Sequence, residues 1–174
     1  MLLDLARLFL FPALMAFAAA SDLLTMTISN RVSLLLIAGF FLLAAISGMS
    51  LEAIGWHTLA GLSVLAVAFA CFAFGWIGGG DAKIAAAAAL WFGFSYLLDY
   101  LVFASVAGGV LTLVILLFRG GPLPPVLASQ DWLARLHNKS TGIPYGIALA
   151  AAALLIYPDT EWIKAIDLLQ LAVR

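Results

Sequence analysis

From His57 to Ile77 the chain reads HTLAGLSVLAVAFACFAFGWI, 21 residues without an Asp, Glu, Lys or Arg. A helix of about 20 apolar residues crosses the hydrocarbon core of a bilayer. The run lacks the period-two alternation of a membrane barrel strand, so it reads as a transmembrane helix. It is halted by Gly78-Gly79-Gly80-Asp81-Ala82-Lys83, and apolar sequence resumes at about 82–94 and again at 97–118. Working outward, comparable stretches lie at about 2–20, 32–49 and 143–157. The fourth and sixth stretches are short for a span; local bilayer thinning or packing inside a bundle accommodates such lengths. The expectation is an all-α polytopic membrane helix bundle with about six transmembrane helices, forming a single membrane-embedded domain over 1–174.

Composition supports that class. Of 174 residues, 66% are hydrophobic and 10% charged, against about a quarter charged in soluble domains. The net charge is -1, and no basic patch interleaved with aromatics points to nucleic acid. Cys71, the single cysteine, lies within an apolar run and reads as a small packing residue. One thiol forms neither an internal disulfide nor a multi-cysteine zinc site. No metal site and no cofactor are expected. Residues 1–20 have the apolar character of a signal peptide, but Asp4 offsets Arg7 and Asp22 follows at once, so the segment reads as a retained first span.

Charge in the loops orients the bundle. Arg31 follows the first span, Lys83 the third, and Arg119, Arg135 and Lys139 the fifth, whereas Glu52 and Asp99 mark the alternate side. Under the positive-inside rule the basic side is cytoplasmic. Asp22 and Asp81 fall on that side, His57 on the other, and His137 in the long loop; both histidines read as ordinary surface or interface residues. The long loop opens with Gly120-Gly121-Pro122-Leu123-Pro124-Pro125, which excludes regular helix. Val126 to Asn138 has the pattern of a short surface helix anchored by Trp132, Leu133 and Leu136. The tail from Asp159 to Arg174 repeats that pattern with Trp162, Ile163, Ile166, Leu169 and Val173.

Two carboxylates therefore lie at the ends of apolar spans, where a charge is costly unless it is solvated, paired or used. Asp81 has two readings: the N-cap of a helix opening at Ala82, or a carboxylate presented to a substrate by Gly78 and Gly80, which permit unusual backbone and close approach. Asp22 is a solvated interface carboxylate or the partner of Asp81. Lys83 tunes Asp81 or binds a lipid headgroup, and Asn30 and Arg31 cap and orient the second span.

Three motifs carry a resemblance. Gly78-Gly79-Gly80-Asp81 is similar to the Gly-x-Gly-Asp signature of intramembrane-type aspartic proteases. Asp22 with Ile28-Ser29-Asn30 resembles the Asp-x5-Ile-Pro-Asn motif of type IV prepilin leader peptidases, with serine in place of proline. Pro144-Tyr145-Gly146-Ile147-Ala148 resembles the Pro-Tyr-Gly-x-Ala segment that opens their last span. The motifs occur in the family's order. Large members carry an additional domain with paired cysteines and N-methyltransferase activity, and neither is expected here. The chain thus resembles the short TadV/CpaA-like subclass that processes Flp-type pilins.

The resemblance implies an aspartic endopeptidase of the bacterial inner membrane, multi-pass, without methyltransferase activity. It implies Asp22 and Asp81 as the catalytic pair, supported by Gly78, Gly80, Lys83, Asn30, Pro144, Tyr145 and Gly146. Its partners would be a prepilin substrate and the lipid bilayer, and it admits the pilus assembly machinery. Two carboxyl groups brought together share one proton, so one acts as base while the other acts as acid. Two rival readings stand beside it. One is a small proton-coupled transporter subunit with Asp22 and Asp81 as relay, although the inverted halves frequent in such proteins are not evident. The other is a scaffold in which both aspartates only cap helices.

Overall fold

The computed structural model describes residues 1–166; residues 167–174 lie outside the described part, and with them Asp167, Leu169, Val173 and Arg174 of the expected tail helix. Every regular element in the described residues is helical: α1 (Leu2–Thr25), α2 (Asn30–Ile46), α3 (Leu51–Ala73), α4 (Gly79–Gly120), α5 (Pro125–Ala128), α6 (Asp131–His137), α7 (Tyr145–Ile156) and α8 (Glu161–Lys164). α1, α3 and α4 are long and apolar enough to cross a membrane, and α2 and α7 are shorter apolar helices. The protein is a polytopic membrane helix bundle.

Local chemistry sets the ends. α1 opens with Asp4 in its first turn, paired with the N-terminal amine at 2.8 Å and with Arg7 at 3.8 Å. It runs five residues beyond the expected Ala20, because nothing in Ser21–Thr25 breaks a helix, and stops where Met26 turns left-handed at φ 55°. Asp22 consequently sits inside the last turn of α1 rather than in a loop after it. Ser29 caps α2 by accepting the Arg31 N–H, and Ser50 caps α3 by accepting the Ala53 N–H at 3.1 Å. That second cap starts α3 six residues before His57 and puts Glu52 in its first turn, not in a loop. The surface helix expected over 126–138 is two pieces, α5 and α6, divided at Ser129 and Gln130.

α4 is two helices joined without a loop. The sequence reading placed a gap at 95–96; the break lies at Gly93 alone, with φ 57° and ψ -173°. A straight helix would hold Asp81 and Thr112 about 46 Å apart at 1.5 Å per residue, yet both line one cleft. The limbs 79–92 and 94–120 therefore fold back on each other as a hairpin. A broken helix leaves the carbonyls of its last turn without partners inside the helix. Here the His57 Nδ1–H donates to the Leu90 carbonyl at 2.8 Å, and the Trp162 indole N–H donates to the Trp91 carbonyl at 3.0 Å. His57 is thus a partner of the break, at the bundle end away from Asp81.

α3 and α7 pack on α4, α1 packs on α7, and α2 leans on both α1 and α4. An aromatic cluster locks the end near Gly93: Phe11 stacks on Tyr157 at 4.6 Å, and Trp91 lies 5.1 Å from Trp162. The outer face is apolar too, with Leu98 and Leu117 72% and 79% exposed. Against lipid such exposure costs nothing, so close packing and internal hydrogen bonds hold the bundle. At the opposite end Arg119 is buried rather than a loop surface charge. Its guanidinium donates to the Leu136 carbonyl at 2.7 Å and the Gly142 carbonyl at 2.9 Å, pinning the 121–144 segment to the end of α4.

Candidate active site

The end of α1, the start of α4 and the start of α7 meet at one end of the bundle. Asp22, 6% exposed in the last turn of α1, accepts the backbone N–H of Gly146 at 2.8 Å. Gly146 belongs to the first turn of α7, whose amides have no partner within the helix and whose dipole favours a negative group. Pro144 precedes that helix as its N-cap and, lacking an N–H, leaves no donor there unpaired. The fit is tight: a Cβ on Gly146 would lie 2.8 Å from both Asp22 Oδ2 and Ile28 Cδ1. Ile28, from the α1–α2 turn, also abuts Gly80, where an added Cβ would lie 3.3 Å from the Ile28 Cβ. One side chain thus bridges the glycine before Asp81 and the glycine that binds Asp22.

Asp81 lies in the first turn of α4, and Gly78, not Asp81, is the N-cap. Its Oδ2 lies 2.9 Å from the place a Gly78 Cβ would take, so the absence of a side chain there lets the carboxylate turn back. Asp22 and Asp81 are within electrostatic range of each other, and Tyr100, fully buried and with no partner for its hydroxyl among the described residues, is within range of Asp81. Asp81 opens into a cleft of ≈ 610 Å³ between the two limbs of α4 and α7. Ser105, Thr112 and Tyr145 give its otherwise apolar wall a few hydroxyls. Thr112 Oγ1 donates to the Gly108 carbonyl at 2.7 Å, so the Tyr145 hydroxyl is the donor in their 3.1 Å contact. From Leu101 to Leu113 the cleft runs about 18 Å along the second limb, room for an extended segment of about five residues.

Asn30 and Lys83 stand apart from this cleft. Lys83 Nζ donates to Asn30 Oδ1 at 2.8 Å on the other side of the first limb, joining α4 to the start of α2. Among the described residues no three His, Cys, Asp or Glu side chains cluster. Sequence reasoning missed Ile28 as a wedge, and Thr112 and Ser105 as cleft hydroxyls. Ile28 lies in a quoted motif, but nothing in its residue type marks a packing role.

The fold and cleft define a class: a multi-pass membrane protein with two carboxyl groups converging at one end of its bundle. Residues 9–113, more than half of the chain, match the model of the type IV leader peptidase family, and the protein belongs to that family. The family indicates a prepilin-type aspartic peptidase activity. Neither the curated proteins nor the solved structures give a match.

Proposed function

We propose that Asp22 and Asp81 are the acid–base pair of a leader peptidase whose substrates are Flp-type prepilins, at the cytoplasmic face of a bacterial inner membrane. The observation that carries this reading is that Asp81 and Tyr145 line one cleft, while Asp22, within electrostatic range of Asp81, is held beside it by the amide of the next residue, Gly146. An ionised carboxylate takes a proton from water, and the oxygen attacks the scissile carbonyl. The protonated carboxyl group gives its proton to the carbonyl oxygen. Collapse of the tetrahedral intermediate breaks the C–N bond, the amine leaves with a proton from the pair, and a new carboxyl terminus remains. The cleft supports this chemistry because a peptide must be extended, not helical, to expose its carbonyl. The substrate's own apolar helix delivers the leader to the membrane face. Short-subclass membership, and leader removal without N-methylation, rest on the sequence resemblance and on Cys71 standing alone.

Co-expression with a Flp-type prepilin provides the test. Wild-type protein should produce the mobility shift of leader loss, and Asp22→Asn and Asp81→Asn should each abolish it while the protein still inserts. Cleavage by either variant at near wild-type rate would exclude the pair as catalytic.

A further inference from the structure

α2 and α3 are joined by residues 47–50, yet side by side they barely meet; each packs on α4 instead. The gap between them is a groove of ≈ 420 Å³, distinct from the cleft that holds Asp81. Leu34 and Phe41 of α2 form one wall, Leu62 and Leu65 of α3 the other, and Ala86 of the first limb the floor. The wall residues are exposed to the surroundings of the bundle. In a bilayer such a gap is filled.

Its shape and chemistry select the occupant. From Asn30 to Phe41 the groove runs about 17 Å, little more than half of the about 30 Å that a partner's transmembrane helix would cover. An extended peptide fits no better, because its N–H and C=O groups would find almost no partners between apolar walls. The Thr58 hydroxyl on the wall already donates to the Ile54 carbonyl at 2.7 Å. A hydrocarbon chain is thin and has no polar groups to satisfy. At one end the groove meets Lys83 and Asn30. The Lys83 ammonium spends one N–H on Asn30 at 2.8 Å, and among the described residues no carboxylate pairs with it. Two ammonium N–H groups and the Asn30 amide N–H groups remain to be accepted, and Arg31 adds a second positive charge next in sequence. That end matches a phosphate without a compensating cation.

We propose that this groove binds an anionic phospholipid, one acyl chain lying between α2 and α3 and the headgroup phosphate meeting Lys83 and Asn30. The first limb of α4 then stands between lipid and catalytic cleft, with Ala86 toward one and Asp81 toward the other.

Thermal unfolding of the delipidated protein in detergent, titrated with dioleoyl phosphatidylglycerol or dioleoyl phosphatidylcholine, tests this without reference to peptidase activity. Phosphatidylglycerol should raise the midpoint saturably and phosphatidylcholine much less. Lys83→Gln should weaken the phosphatidylglycerol response about fivefold, the contribution of one basic residue beside an anionic surface. Lys83→Arg should keep it. Leu62→Trp, which fills the groove from an exposed wall position, should remove the gain from both lipids. Equal responses to the two lipids, an unchanged Lys83→Gln response, or full response in Leu62→Trp would each overturn the proposal. So would glycerol phosphate alone reproducing the shift, since it has no chain to place in the groove.

Discussion

Gly146 is the tightest point of the site: its amide holds Asp22 and its missing side chain makes room for Asp22 and Ile28. Gly146→Ala puts a methyl 2.8 Å from the carboxylate oxygen and from the Ile28 terminal methyl. One of these groups must shift. Displacing a reacting group by about 1 Å costs on the order of a hundredfold in rate. Gly146→Ala should therefore lose about a hundredfold in prepilin cleavage rate in a time course, while its unfolding midpoint in detergent stays within a few degrees of wild type. At this scale the sequence revealed the acidic residues, because a carboxylate in an apolar chain stands out by type. It revealed Gly146 only as part of a motif. A backbone amide that binds a carboxylate 124 positions away leaves no mark in residue type, and Ile28 looks like any other isoleucine.

Among the elements, the hairpin of α4 depends on Gly93. A side chain there faces two costs: the left-handed φ of 57° and the His57 ring, whose nearest atom would lie 2.9 Å from the new Cβ. Backbone at positive φ with ψ near 180° is almost confined to glycine and costs other residues about 1–3 kcal/mol, and overpacking costs about 1–3 kcal/mol. Gly93→Ala should accordingly destabilise the bundle by about 3 kcal/mol, read as a lowered unfolding midpoint beside wild type in the same detergent. The number and order of apolar segments were legible because each is a long run with few charges. The site of the reversal was not, since a one-residue break has no polar loop to announce it. The partners that satisfy it, His57 and Trp162, come from elements far along the chain. The extension of α1 through Asp22 was hidden for a related reason: the partner that lets the carboxylate stay within the helix end is supplied by α7.

For the molecule as a whole, the two ends differ in charge. Arg31, Lys83, Arg119, Arg135 and Lys139 outnumber Asp22, Asp81 and Asp131 at the end that carries the site, while Asp4, Glu52, Asp99, Asp159 and Glu161 outnumber Arg7 and Lys164 at the other. Buried Arg119 spends its charge on loop carbonyls. The cytoplasmic placement proposed for the site predicts a labelling pattern. With Cys71 replaced by serine, a cysteine at exposed Lys139 should resist an impermeant thiol reagent applied to intact cells. One at exposed Glu52 should react. The reverse pattern would put the site on the side opposite a cytoplasmic leader.

The first limb of α4 has one more consequence. Its 14 residues, 79–92, reach about 21 Å, while the hydrocarbon slab of a bilayer is about 30 Å deep. From Ile84 to Phe92 it is buried among its neighbours, so the bundle rather than the lipid accommodates the short span. Every peptide bond hydrolysed consumes one molecule of water, and the open cleft at Asp81, at the start of that limb, is the path by which it arrives.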